Sequence, residues 1–344
     1  MSPKVTNVGF IGLSSRPEWS WAVAAHLPYF INSKHYNFAA LQNSSRETAQ
    51  KAIRLHNLAQ DTKAYGDINA LVSDPDVDLI AVTIKVHLHA AAVEAAIRAG
   101  KSAVFCEWPL ARNSIEAERL TSLARGKGVR TLVGLQGRQD PATLKAKELV
   151  ERGALGDMLQ TTMLFMSPWF GPTMPEAAGY GADIEIGANL VSISAGHAPD
   201  ALEGKPKGEI EKTAHDHLSV MGRLPGGGVA TAVCQDGMSR IDKNFFWEIT
   251  GTKGTLLTEG PMGNIQGFPP TIKFVKAEPS AVLEVVEVDE VKGFSDNTGK
   301  AWEAFAGGSR EAPDFDVASI RHLRHRMLDA IYRSSELGTR EEYW

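Results

Sequence analysis

Cysteine is nearly absent from this chain of 344 residues: only Cys106 and Cys234 occur. Two thiols allow at most one bridge, so a disulfide framework is excluded, and two reduced core thiols in a cytoplasmic protein are expected. A charge excess is missing too. Lysine and arginine number 36 against 41 acids, a formal net charge of −5, which removes the electrostatic case for direct nucleic-acid binding. No run of about 18 apolar residues occurs, so no membrane-spanning helix is expected. Met1-Ser2-Pro3-Lys4 leads into a strand with no basic-then-apolar leader. His87 and His89 stand two apart, off any common helix face, and no acid or cysteine completes a set with them, so no metal site is expected. There is no internal repeat and no low-complexity tract. What the chain has is length enough for two domains, with sizeable cores in each.

The most informative stretch is Ala103-Val104-Phe105-Cys106-Glu107-Trp108-Pro109-Leu110. Its first four residues read as a short buried strand. Pro109 fixes its own φ and drives Trp108 towards an extended conformation. Glu107 and Trp108 are therefore expected at the carboxyl end of an inner strand, the edge at which an open α/β sheet binds ligands. The residues before it build such a sheet. Val5 to Leu13 is a strand, Ser14 to Glu18 a polar turn, and Trp19 to Phe30 a helix. A full G-x-G-x-x-G from Gly12 would place glycine at positions 14 and 17, which hold Ser14 and Pro17. Gly12 still permits a tight turn, and Ser14 and Ser15 offer hydroxyls to a pyrophosphate at a helix N-terminus. The second strand, Phe38 to Leu41, ends at Gln42-Asn43-Ser44-Ser45-Arg46. The acid that holds a ribose 2′-hydroxyl in NAD sites is missing there. Asn43, Ser44 and Arg46 suit a 2′-phosphate, so NADP is expected ahead of NAD; the alternative is that Ser45 merely caps the next helix, Arg46 to His56, and Arg46 is solvated. Lys85 ends the strand Leu79 to Ile84, near the nicotinamide end of such a cleft.

Strands and helices alternate as far as Arg130 to Leu135, giving a doubly wound parallel sheet of the dinucleotide-binding, or Rossmann, kind over residues 1–137. Residues 138–344 read differently. After the helix Ala142 to Arg152 comes a series of short strands: Met158–Met166, Asp216–Arg223, Gly228–Gln235, Phe245–Thr250, Thr255–Glu259, Thr271–Val275 and Val282–Val288. That is an α+β domain with a large, mostly antiparallel sheet. A Pro- and Gly-rich loop, 167–181, carries Trp169, Phe170 and Tyr180 and reads either as a substrate lid or as a surface excursion. Ile184 to Ser194 is a helical pattern running into Gly196-His197. Helices are expected at Asn297 to Phe305 and Asp314 to Ser335.

The stretch Ala99-Gly100-Lys101 through Glu107-Trp108-Pro109-Leu110-Ala111, with the Gly153-Ala154-Leu155-Gly156-Asp157 turn, resembles the signature of the glucose–fructose oxidoreductase / inositol dehydrogenase (Gfo/Idh/MocA) family. Within it the chain is most similar to the branch of the fungal galactose-regulon repressors. Gly12-Leu13-Ser14-Ser15, Lys85-Val86-His87-Leu88-His89, Glu107-Trp108, Leu135 to Arg138, Ala146 to Leu149, Asp183 to Ser192, Gly196-His197, Asp216 to Leu218 and Gly251 to Gly254 carry that likeness. The resemblance implies the two-domain fold above, a nicotinamide cofactor, and cofactor contacts at Gly12, Ser14, Ser15, Asn43, Ser44, Arg46, Lys85, Glu107, Trp108 and Gln136. It implies substrate contacts at Trp108, Arg138, Trp169, Tyr180, Asn189 and His197.

Two departures bear on chemistry. The family's proton-relay lysine is replaced by Trp108, and its aspartate four residues before the histidine by Ile193. A neutral indole takes no proton, and isoleucine orients no imidazole. Acid–base work then falls to His197, Lys85 or Tyr180, with His197 best suited because imidazole titrates near neutrality. Three readings follow: an NADP- or NAD-dependent oxidoreductase acting on a carbonyl, alcohol or sugar-like small molecule; a non-catalytic dinucleotide-binding transcriptional co-regulator with a protein partner; and a non-redox epimerase, lyase or cyclase. A homodimer or higher homo-oligomer is expected, because one face of the second sheet needs a cover. A cytoplasmic protein is expected, or a nuclear one if it is a regulator.

Overall fold

The computed structural model describes residues 5–15, 20–167, 182–186, 208–209, 211, 213–215, 217–241, 243–309, 312–315 and 324–342. The chain forms two compact units, Met1–Leu135 with Thr298–Trp344, and Gln136–Asn297.

The first unit holds β1 (Thr6–Ile11), β2 (Tyr36–Gln42), β3 (Lys63–Tyr65), β4 (Leu79–Val82), β5 (Ala103–Glu107) and β6 (Arg130–Gly134) in the order β3-β2-β1-β4-β5-β6. Every pairing is parallel. All residues of β4 and β5 are buried, as a sheet covered on both faces requires. On one face pack α4 (His89–Arg98) through Ala92, Val93, Ala96 and Ile97, and α5 (Ser114–Lys127) through Ala117, Leu120 and Ala124. On the other lie a π-helical stretch, Ala22–His26, and α1 (Leu27–Asn32) that continues it; α2 (Arg46–Leu55) packs there through Ala49 and Ala52. The helices α3 (Ile68–Val72) and α8 (Arg324–Leu337) also belong to this unit. The strand β3 has no sequence signal, since three residues at a sheet edge are too few for a pattern.

The return of the chain to the first unit differs from the expected division at residue 137. The helix α7 (Phe294–Ala306) carries Trp302 and Phe305 into the same core as Phe10, Phe30 and Phe105. Trp302 has no exposed surface, and its ring lies 4.7 Å from Phe105 and 5.0 Å from Phe30. Helical periodicity in the sequence shows that one face of α7 is apolar, but not which sheet that face covers.

The second unit is built on a seven-stranded sheet: β7 (Met158–Ser167), β8 (His217–Arg223), β9 (Val229–Asp236), β10 (Phe245–Gly251), β11 (Gly254–Gly260), β12 (Thr271–Lys276) and β13 (Glu284–Val285), ordered β13-β12-β11-β10-β7-β9-β8. Only β7 and β9 pair in parallel. The helix α6 (Pro141–Glu151) lies on one face, with Ala142, Ala146 and Leu149 clustered against Ile249, Leu256 and Ile272. Asp140 caps it by accepting a hydrogen bond from the Thr143 amide at 3.1 Å, and burial raises this carboxyl above the usual carboxylate range. On the opposite face Leu164, Phe246 and Val233 form one cross-strand row. No described residue of that face is buried.

Candidate functional site

The order β3-β2-β1-β4-β5-β6 reverses direction between β1 and β4, so the ligand crevice of such a sheet opens at the carboxyl ends of those two strands. Gly12 stands at that point with φ +107°. A Cβ there would meet Ile84 Cγ2 at 2.5 Å and the Thr83 carbonyl oxygen at 2.9 Å, so glycine is required by both conformation and space. The turn that follows is held on two sides. Asn43 Nδ2 donates to the Leu13 carbonyl at 2.8 Å, and His56 Nε2 donates to the Ser14 carbonyl at 2.8 Å. Thr83 donates through its amide and its hydroxyl to the Ile11 carbonyl. Three adjacent strand ends are thus knit together beneath a turn whose Ser14 and Ser15 remain half-buried.

Beyond β2, Ser45 caps α2 in a capping box with Thr48, which satisfies amides at that helix end. Ser44 and Arg46 flank the cap and are exposed. The structural and ligand readings of this segment are therefore compatible: Ser45 is used by the helix, while Ser44 and Arg46 are presented to solvent beside it. Asn43 spends its amide group on the backbone of Leu13 and Thr48.

Glu107 faces inward. Its Oε1 accepts from Trp21 Nε1 at 2.8 Å and from His26 Nε2 at 2.5 Å, and the residue is 8% exposed. The second ring nitrogen, His26 Nδ1, receives the Trp302 indole N–H at 3.0 Å. An indole nitrogen can only donate, so Nδ1 must accept and the proton sits on Nε2. The chain of donors runs Trp302 to His26 to Glu107, with Trp21 donating from the other side. Gly134 makes room for it, since a Cβ at that position would overlap Glu107 Oε2. None of Trp21, His26 and Trp302 is apparent as a site residue from sequence. The π-helical turns of Ala22–His26 shift the register that a 3.6-residue period assumes.

Trp108 follows β5 across a cis peptide bond to Pro109. It is half-buried, and its ring lies 4.8 Å from that of His325 in α8. Lys85 is exposed at the start of the turn Val86–Leu88. Gln136 and Arg138 belong to the second unit, where Gln136 is buried, Arg138 is half-buried and its Nε has no hydrogen-bond partner among the described residues. Trp169, Tyr180, Asn189, Ile193 and His197 lie outside the described residues. Both cysteines are free thiols, and burial raises Cys106 well above its ordinary range and Cys234 to about 11, so neither is a thiolate near neutrality. Among the described residues no group of three His, Cys, Asp or Glu could hold a metal ion, and no helix is long and apolar enough to cross a membrane.

Glu107→Ala strands the buried imidazole N–H of His26 and the half-buried indole N–H of Trp21, and is expected to cost about 2–4 kcal/mol. Glu107→Gln keeps an oxygen for the same donors and should cost less than half as much. Urea denaturation followed by tryptophan fluorescence measures both. Equal losses would mean that the charge of Glu107, and not its hydrogen bonds, holds this edge.

Comparison with known proteins agrees with this geometry. Residues 6–135 match the oxidoreductase family with an NAD-binding Rossmann fold (GFO_IDH_MocA), and residues 141–205 and 202–260 match the Gal80p C-terminal domain. Dehydrogenase aclE of Aspergillus oryzae is 31% identical over 376 aligned residues, spanning 100% of this chain and 99% of its own. The galactose/lactose metabolism regulatory protein GAL80 of Saccharomyces cerevisiae is 29% identical over 74% of this chain and 67% of its own. Among solved structures, a super-repressor mutant of Gal80p from Saccharomyces cerevisiae superposes with a TM-score of 0.85 at 23% identity, covering 98% of this chain and 97% of that one. Levoglucosan dehydrogenase in complex with NADH and levoglucosan gives 0.78 at 19%, covering 98% of each. These two structures share the fold. With a parallel six-stranded sheet, a glycine at its switch point and a full-length dehydrogenase relative, the chain belongs to the Gfo/Idh/MocA oxidoreductase family and carries a Gal80-like C-terminal domain.

Proposed function

We propose that this protein is an NADP(H)-dependent oxidoreductase with a rebuilt acid–base set, acting on a small carbonyl, alcohol or sugar-like compound. The observation that carries the reading is the end of β2: no acid stands there, and Ser44 and Arg46 are exposed on either side of the Ser45 cap. A guanidinium and a hydroxyl suit a phosphate, whereas a ribose hydroxyl calls for an acceptor. Gly12 suits the tight turn that such a cofactor needs, since its φ of +107° and the closeness of Ile84 and Thr83 admit no Cβ there. Gly12, Ser14 and Ser15 would hold the pyrophosphate, Ser44 and Arg46 the 2′-phosphate, and Lys85 and Trp108 would flank the nicotinamide end. The bound cofactor supplies hydride transfer. The protein's own part is to receive or deliver the accompanying proton and to exclude water. Trp108 serves the second task only, since indole has no proton to exchange near neutrality. Lys85, His197 and Tyr180 are the proton carriers proposed, with Trp169, Asn189 and Arg138 as substrate contacts.

A co-regulator reading stands second. It is favoured by the loss of the relay lysine at Trp108 and by the family match of the C-terminal domain to Gal80p. Energy transfer from tryptophan to reduced nicotinamide separates the outcomes. NADPH should bind about tenfold or more tightly than NADH, and Arg46→Glu should abolish that preference. Substrate-dependent loss of nicotinamide absorbance supports the oxidoreductase; binding without turnover across a carbonyl panel supports the regulator. Tighter binding of NADH would refute the NADP assignment.

We further propose a homodimer through the open face of the second sheet. Leu164, Val233, Phe246 and Leu257 lie on this face and none is buried. Apolar surface of this kind is stabilised by burial against a second copy. Leu164→Glu should turn a dimer into a monomer in sedimentation equilibrium. A wild-type monomer at micromolar concentration would contradict the proposal.

A further inference from the structure

His89 opens α4 and is 1% exposed. Its ring lies between two loops at the carboxyl edge of the first sheet. Nδ1 stands 2.8 Å from the carbonyl oxygen of Pro109, and Nε2 stands 2.8 Å from that of Ile84. Carbonyl oxygens only accept hydrogen bonds. A neutral imidazole has one N–H and fills one of them, leaving a bare nitrogen facing the other oxygen. Only the imidazolium fills both. The surroundings divide on that charge. Burial opposes it and prevails, holding His89 below the ordinary histidine range, while the carbonyls of Ile84, Pro109 and Leu110 and the carboxylate of Glu107 favour the cation. The loop after β4 adds Lys85, which is exposed, and His87, whose Nδ1 is buried without a hydrogen-bond partner. The loop after β5 brings no charge besides Glu107 as far as Ala111. Cys106, whose thiol reaches the Leu110 carbonyl at 3.7 Å, is neutral, and Glu94 on α4 is paired with Arg98 and Arg119.

We propose that His89 is a positioning residue that straps the Trp108–Pro109 loop to the Ile84–Lys85 loop, and so sets the separation of Trp108 and Lys85. The proposal rests on the dinucleotide reading only in its consequence, which is that these two loops flank the nicotinamide end of the cofactor. With a second proton on the ring both straps are closed. Without it one loop is released. The strap therefore tightens only as pH falls through the depressed range in which the folded ring takes its second proton. Overall stability is lost on the way there, from the ordinary histidine value downwards, because the unfolded chain binds that proton more readily than the folded one. A purely structural histidine would give the second trend alone.

Hydrogen–deuterium exchange on the full chain tests this at pH values of about 4.5, well below the ordinary histidine range, and about 7.5, with rates corrected for intrinsic chemistry. Wild-type amides at 84–88, 108, 110 and 111 should be about tenfold better protected at the lower pH. His89→Phe, with no donor, should lose that protection at both. His89→Gln, with one amide group, should be intermediate and independent of pH. If His89→Phe does not fold, the wild type and His89→Gln decide the matter between them. NADPH affinity of the wild type should rise at the lower pH by a similar factor, and that of His89→Gln should not. Unchanged exchange of the two loops in a folded His89→Phe would overturn the strap, as would a pH dependence that survives in His89→Gln. A wild type that binds no NADPH would defeat the dinucleotide reading instead, and the exchange data would still decide the strap.

Discussion

The carboxyl edge of the first sheet depends on one inward-turned carboxylate. Glu107 ends β5 and is hydrogen-bonded to an indole and an imidazole, Trp21 and His26, from the segment that follows β1. The buried imidazole N–H of His26 needs an acceptor, and a buried carboxylate needs donors; each makes the other tolerable in a low dielectric, and the half-buried Trp21 adds a second donor. Trp302 closes the set by donating to the far nitrogen of His26. This last contact brings the segment from Thr298 onwards into the first unit, because Trp302 fills the aromatic core with its ring and places its one polar atom on the imidazole.

With Glu107 engaged inside, the residues at the same edge divide into two sets. Gly12, Asn43, His56 and Thr83 hold backbone to backbone and shape the turn. Ser44, Arg46 and Lys85 are exposed. A glycine-poor turn needs this arrangement, since Ser14 stands where many dinucleotide folds have glycine, and the loop is fixed by Asn43 and His56, the residues that follow β2 and α2. The proposed 2′-phosphate contacts, Ser44 and Arg46, come from the exposed set, while the proposed positioning residue, His89, is buried behind the edge.

Much of this was legible in the sequence, for identifiable reasons. The parallel sheet shows as apolar runs of four or five residues, because strands covered on both faces carry no alternation. Ser45 was readable as a cap from its place before a helical pattern. The signature Lys101 and Glu107 were visible as motifs, but not as structural residues. Lys101 Nζ donates to the carbonyls of Asp74 and Val77, more than twenty residues away. The partners of Glu107 are 81 and 86 residues distant. Such contacts leave no local period. The π-helical turn that aims His26 breaks the period that would otherwise be used to place it. The domain of α7 was misplaced for the same reason, since amphipathicity names a face but not its cover. Asn43, expected as a ligand contact, has its amide on the backbone; Trp108 remains at the edge, half-buried against His325.

The proton arrangement at His26 tests the central claim most directly. Long-range proton–nitrogen correlation spectra of the 15N-histidine-labelled protein report which ring nitrogen carries hydrogen. Protonated Nε2 and bare Nδ1 are predicted, with the Nε2 proton shifted downfield by its short bond to Glu107. A proton on Nδ1, or a ring averaging between its two tautomers, would contradict the donor chain from Trp302 through His26 to Glu107, and with it the account of how this edge is held.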